Sequence, residues 1–227
     1  MSNNDVYVDP RVQKVIDLYA DVIAGDFYSL PVSRQLEVQA ARLTDAHHKG
    51  DDSVCFQIGS WHPGLVGKQD DAILNHRFSI DDGRTTIARE YGFKDWDGVN
   101  SNGPTRSNVK FENAVNTMLS GNLALLESLI GESPDLISAR SQYGHSATLL
   151  HYAGTNGVES YRQVVPLNLA EIVDFLIASG ADLKSKAAIY GGSTPRELFK
   201  TSKHSQDSGV YKDVIAVFNK YETGPGT

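Results

Sequence analysis

The chain has 227 residues, a single cysteine, Cys55, and a formal net charge of −7. An acidic chain with no run of Lys and Arg offers no electrostatic footprint for nucleic acid or for an anionic membrane surface. One cysteine excludes an intrachain disulfide and points to a reducing, cytoplasmic setting, while the polar start Met1-Ser2-Asn3-Asn4-Asp5 is unlike a signal peptide and no apolar run reaches the ~18 residues of a membrane span.

Residues 1–8 carry no periodicity and are expected to be loose. Asp9-Pro10 then reads as a helix start, because Asp caps orphan N–H groups and Pro suits the first turn. Val12, Val15, Ile16, Tyr19, Val22 and Ile23 form one apolar stripe ended by Gly25, which predicts a helix over 10–24. Leu36, Ala40 and Leu43 mark a second helix closed by Gly50; Val54, Cys55 and Ile58 mark a third, closed by His62-Pro63. Asp81-Asp82-Gly83 reads as a turn and cap ahead of Arg84. Ile87, Ala88 and Tyr91 lead to Gly92-Phe93, and the helix carrying Trp96 and Val99 must be short because Asn100-Ser101-Asn102-Gly103-Pro104 cannot continue it. Gly50 and Pro63 recur at the same spacing as Gly121 and Pro134, with Leu125, Leu126 and Leu129 between them, which indicates an internal repeat.

The stretch from Ser146 to Pro195 is the most regular. Thr148 can cap a helix that carries Leu150, His151 and Ala153 and ends at Gly157. Ile172, Val173, Leu176 and Ile177 form the stripe of a second helix, stopped by Gly180-Ala181-Asp182, and Thr194-Pro195 opens another pair with Leu198 and Phe199 inward. A return helix carries Val214, Ile215, Val217 and Phe218 after a loop at Lys203–Gly209, and Glu222–Thr227 reads as a frayed tail.

Thr148-Leu149-Leu150-His151-Tyr152-Ala153, Gly157, the apolar second helix and Gly180-Ala181-Asp182 resemble the ankyrin repeat, in which T-P-L-H-x-A, a glycine and a second helix recur with a period of ~33 residues; here Leu149 stands in the position of the motif's proline. Ala88–Trp96 is similar to a segment found in the N-terminal half of bacterial ankyrin-type proteins. The resemblance implies an all-α solenoid of about five helix pairs with irregular fingers: an extension with a capping helix over 1–32, degenerate repeats over 33–110 and ankyrin repeats over 111–221. It also implies that His151 ties neighbouring repeats together by hydrogen bonds.

The same resemblance implies a binding module that holds a protein partner on its concave face and fingers. Two connections share a Tyr-Gly pattern, Gln142-Tyr143-Gly144-His145-Ser146 and Ile189-Tyr190-Gly191-Gly192-Ser193, and an insertion, Val158–Leu169, separates the helices of one pair. Long loops in repeat proteins gather on a binding face. The contact is therefore expected at Tyr143, His145, Tyr152, Tyr161, Arg162 and Tyr190, with the Tyr161-Arg162 segment joining only if the insertion folds inward. An alternative from a different class is a small-molecule enzyme or ligand-binding protein whose pocket is closed by the enlarged loops and the N-terminal extension, with His145, His151, Glu90 and neighbouring Asp residues as acid–base groups. A deep cavity with convergent polar groups would favour it, an open groove the partner-binding module. Neither a nucleophile elbow nor a phosphate-cradling glycine loop is present, so no cofactor is expected. His47, His48, His62, His76 and His204 lack zinc spacing, the Asp95–Gly103 stretch fails the register of a calcium loop, and no metal is expected.

Overall fold

A computed structural model describes residues 5–102 and 105–222. The described residues are all-α apart from two two-residue strands. Expectations for residues 1–4, 103–104 and 223–227 fall outside the described residues.

The first helix, α1 (Pro10–Tyr19), begins as the sequence requires: the Asp9 carboxylate accepts the Arg11 N–H at 2.8 Å. It is shorter than the 10–24 expected, because the chain turns after Tyr19 and reaches Gly25, whose φ is +55°. Ahead of it, residues 5–8 are tied down rather than loose. Strand β1 (Val6–Tyr7) pairs antiparallel with β2 (Val165–Pro166), inside the insertion, with Val6 opposite Pro166 and Tyr7 opposite Val165.

Helix α2 (Val32–His48) packs along α5 (Ile80–Glu90). Gly83 lies within α5, not in a turn: the Ser79–Asp82 capping box starts the helix, and a Cβ on Gly83 would fall 2.3 Å from Thr44 Oγ1 of α2. Between them come α3 (Cys55–Trp61) and α4 (Asp70–Leu74), and α6 (Trp96–Asn102) follows. Helices α7 (Val109–Leu119) and α8 (Leu123–Glu132) pack on each other across Gly121.

The next helix, α9 (Leu149–Tyr152), is a single turn instead of reaching Gly157. Gly154 follows at a point where a Cβ would lie 2.7 Å from Leu198 Cβ of α11 (Pro195–Thr201), so close approach of the next helix ends this one. Helix α10 (Leu169–Ala178) packs on α13 (Tyr211–Glu222), and the expected loop at 203–209 holds a short helix, α12 (Lys203–Asp207).

The apolar interior falls into two clusters. One is built from residues between Val15 and Val99 and takes in Tyr143; the other runs from Phe111 to Phe218. No helix among the described residues is long and apolar enough to cross a membrane.

Candidate functional site

Three connections meet edge to edge. The His145 N–H donates to the Tyr91 carbonyl at 3.1 Å, and the Ala188 N–H donates to the His145 carbonyl at 2.8 Å. Gly92 makes the first contact possible: its φ is +78°, and a Cβ there would sit 2.3 Å from His145 N. Between this ladder and the end of α3 lies a pocket of about 390 Å³, walled by Trp61, Phe93 and Tyr190, with Glu90 and His145 in its lining and Arg89 and Lys94 at its edge. The Trp61 and Tyr190 rings are parallel within 5°, their centroids 6.4 Å apart. Tyr190 is 63% exposed and holds an unusual φ of +47°. Its hydroxyl donates to Asn156 Oδ1 at 3.0 Å, and its ring rests on Gly157.

Behind the pocket is a buried polar network. Glu90 Oε1 accepts the Ser160 N–H at 2.6 Å, and Oε2 accepts the Gln57 amide, whose own oxygen accepts the Tyr19 hydroxyl at 2.8 Å. Burial pushes the Glu90 carboxyl up to about 7, against the opposing pull of the Ser160 and Gln57 hydrogen bonds. His145 Nδ1 accepts the Ala147 N–H, so a neutral ring carries its proton on Nε2, 3.8 Å from Glu159 Oε1. Glu159 Oε1 also accepts the Tyr152 hydroxyl at 3.0 Å and Arg162 Nη1 at 3.2 Å. Arg162 Nη1 donates to Glu112 Oε2 at 2.7 Å, while Nε and Nη2 both donate to Asn116 Oδ1. The rings of Tyr28, Tyr152 and Tyr161 surround the guanidinium at 5.0 to 5.5 Å.

The two carboxylates on Arg162 differ. Burial raises the Glu112 carboxyl, and the neighbouring Glu159 charge adds to the rise. Burial also works against Glu159, but Arg162 and His145 together outweigh it and hold that carboxyl below its ordinary value. His145 Nε2, Glu159 Oε2, Ser160 Oγ and Trp61 Nε1 are buried without a hydrogen-bond partner among the described residues.

Of the residues singled out in the sequence, His145, Tyr152, Tyr161 and Arg162 come together in this network, so the insertion does fold inward. Tyr143 sits beside them, its ring edge-on to His145 and its hydroxyl donating to Gln35 Oε1 at 2.7 Å, inside the N-terminal apolar cluster. Tyr190 stands apart from the network and shares the pocket with His145 and Glu90. His151 bridges two connections: Nδ1 lies 2.7 Å from Thr148 Oγ1, and Nε2 lies 3.2 Å from the Ser185 carbonyl. Burial, helped by Arg140, lowers its ring to about 4, which keeps it neutral. Cys55 is buried and its thiol is pushed up to about 11, as suits an inert core group.

Nothing in the sequence marks Glu112, Asn116, Glu159, Gln57 or Trp61 as site residues. None has a motif spacing. The available signal was a carboxylate set beside apolar neighbours, as in Phe111-Glu112 and Val158-Glu159. No group of three or more His, Cys, Asp or Glu side chains able to hold a metal ion occurs among the described residues. Compared with known proteins, the chain matches no family model, no curated protein and no solved structure.

Proposed function

We propose that this chain is an ankyrin-type solenoid turned into a small-molecule binding protein, with the pocket between Trp61 and Tyr190 as its site. The solenoid reading is supported by the ladder of Tyr91, His145 and Ala188 across three connections and by the His151 bridge between two of them. The observation that carries the functional reading is burial. The side chains that an open concave face would offer, His145, Tyr152 and Arg162, are at most 2% exposed, covered by the insertion and the N-terminal helices. Tyr190 remains exposed, beside a concave space that it lines together with Trp61 and Phe93. Parallel Trp61 and Tyr190 rings suit a flat ligand, and Arg89 and Lys94 at the edge favour one with negative charge. The lone buried thiol is in keeping with a cytoplasmic location.

A direct test titrates flat aromatic carboxylates, and their neutral and cationic isosteres, against the protein while following tryptophan fluorescence. Carboxylates should bind best, and Tyr190→Ala and Trp61→Ala should each weaken them by about 1–3 kcal/mol without loss of fold. Equal affinity for all three charge classes, or unaffected variants, would remove the site. A second reading, a module for a protein partner, draws on the same exposed Tyr190; it gains if Tyr190→Ala leaves every small molecule unaffected.

A further inference from the structure

On the far side of the buried network lies a second concavity of about 370 Å³, where α1, the end of α7 and the insertion meet. Its walls are mostly aliphatic, from Val6 of β1, Ile16 of α1, Ile23 after it, Leu119 of α7 and Val164 of the insertion, with Tyr19 and Tyr161 beside them. Tyr19 and Arg162 are shared between this concavity and the network, since the Tyr19 hydroxyl reaches Glu90 through Gln57, and Arg162 reaches His145 through Glu159.

The charge balance fixes what this space accepts. Among the described residues, Arg162 is the one charged residue in its lining, and its positive charge is already directed inward, onto Glu112, Glu159 and the Asn116 oxygen. An added anion would meet a guanidinium already matched by two carboxylates. A cation would meet the guanidinium with no carboxylate in the lining to pair with. An aliphatic body gives up no hydrogen bonds to water on entry and removes apolar wall from water. Asn116 and Ser120 at the edge supply polar groups for one hydroxyl or carbonyl.

We propose that this concavity is a second small-molecule site, separate from the Trp61–Tyr190 pocket, that takes an uncharged, predominantly apolar molecule with at most one polar end. The geometry of α1 and α7 supplies the means of testing it. Ala20 and Ser120 lie at the exposed ends of these helices, on its edge, both with helical backbone angles that any L-residue adopts.

The experiment uses the full chain and a matched pair of fluorophores: neutral phenylnaphthylamine and its sulfonate, anilinonaphthalene sulfonate. In the Trp61→Ala background, where the first pocket no longer competes for a flat anion, the neutral probe should bind saturably, one per chain, and at least about tenfold more tightly than the sulfonate, a difference of about 1.4 kcal/mol. Ala20→Trp and Ser120→Trp, which fill the entrance, should each weaken it about tenfold or more while far-ultraviolet circular dichroism and melting temperature stay at the parent values. Trp61→Ala should leave it unchanged. No saturable binding, equal affinity for the sulfonate in the Trp61→Ala background, or full binding by folded entrance-filled variants overturns the proposal. Loss of the neutral probe in Trp61→Ala alone would assign it to the other pocket and overturn the proposal equally, without touching the carboxylate reading of that pocket.

Discussion

Glu90 shows how a single residue acquires a property its sequence neighbourhood does not confer. It closes α5 and is 1% exposed, with its carboxyl raised from 4.5 to about 7 by burial. A raised carboxyl binds its proton more tightly in the folded state. Its stabilising effect is therefore complete below about 4.5 and is lost as pH rises towards 7, by about 3 kcal/mol in total. Urea unfolding at pH 5 and pH 8 should show this fall in the parent and a much smaller one in Glu90→Gln; parallel profiles would mean that the charge is not held out of water. His151 has the opposite sign. Its ring is lowered from 6.5 to about 4, so the stability it contributes is present above 6.5 and is lost as pH falls towards 4, again by about 3 kcal/mol. His151→Gln should lower stability at pH 7 and flatten the decline between pH 7 and pH 5, measured in the same way.

At the scale of elements, packing between neighbours overrides local helix signals. Thr148 and Ala153 suit a helix reaching Gly157, yet α9 stops after one turn because α11 comes too close at Gly154. The chain then crosses Thr155 at φ +47° and Gly157 at φ +71°. A Cβ on Gly157 would lie 2.2 Å from Ile189 Cγ2 and 3.1 Å from the Tyr190 ring. Gly157→Val should therefore destabilise by about 2 kcal/mol or more, from both backbone strain and displacement of the Tyr190 connection. A calorimetric melting temperature equal to the parent's would show that the connection yields freely.

For the whole molecule, Arg162 is the point where separate parts of the chain converge. It stands in the insertion, binds Glu112 and Asn116 of α7, and is covered by Tyr28 from the N-terminal segment. Removing the cation leaves two buried carboxylates without a neutralising charge, so Arg162→Met should cost about 3–5 kcal/mol. Replacing Glu112 and Glu159 by Gln in the same chain should recover much of that loss, because the cost lies in the orphaned charges rather than in the missing contact. Denaturant midpoints of the single and triple variants provide the measurement; equal losses would mean that packing of the guanidinium against its three rings dominates instead.

Sequence by itself determined the helical class and several element ends. Asp9-Pro10 and Thr194-Pro195 start helices because capping and proline chemistry act within one turn, and Gly25, Gly50, Gly92, Gly121, Gly157 and Gly180 all take positive φ because no other residue does so at low cost. Such signals are local, so a single chain displays them. The association of His145, Tyr152, Tyr161 and Arg162 was partly visible, through motif position and an overlong insertion. What covers them was not. Glu90 meets Ser160, Arg162 meets Glu112 and Tyr143 meets Gln35 across long stretches of chain, and no periodicity encodes those encounters. Only the tertiary structure decided that the insertion turns inward and pairs with β1, filling a face that would otherwise stand open. It does so because a buried guanidinium needs carboxylates, an amide and ring faces at once, and no single segment of this chain carries them all.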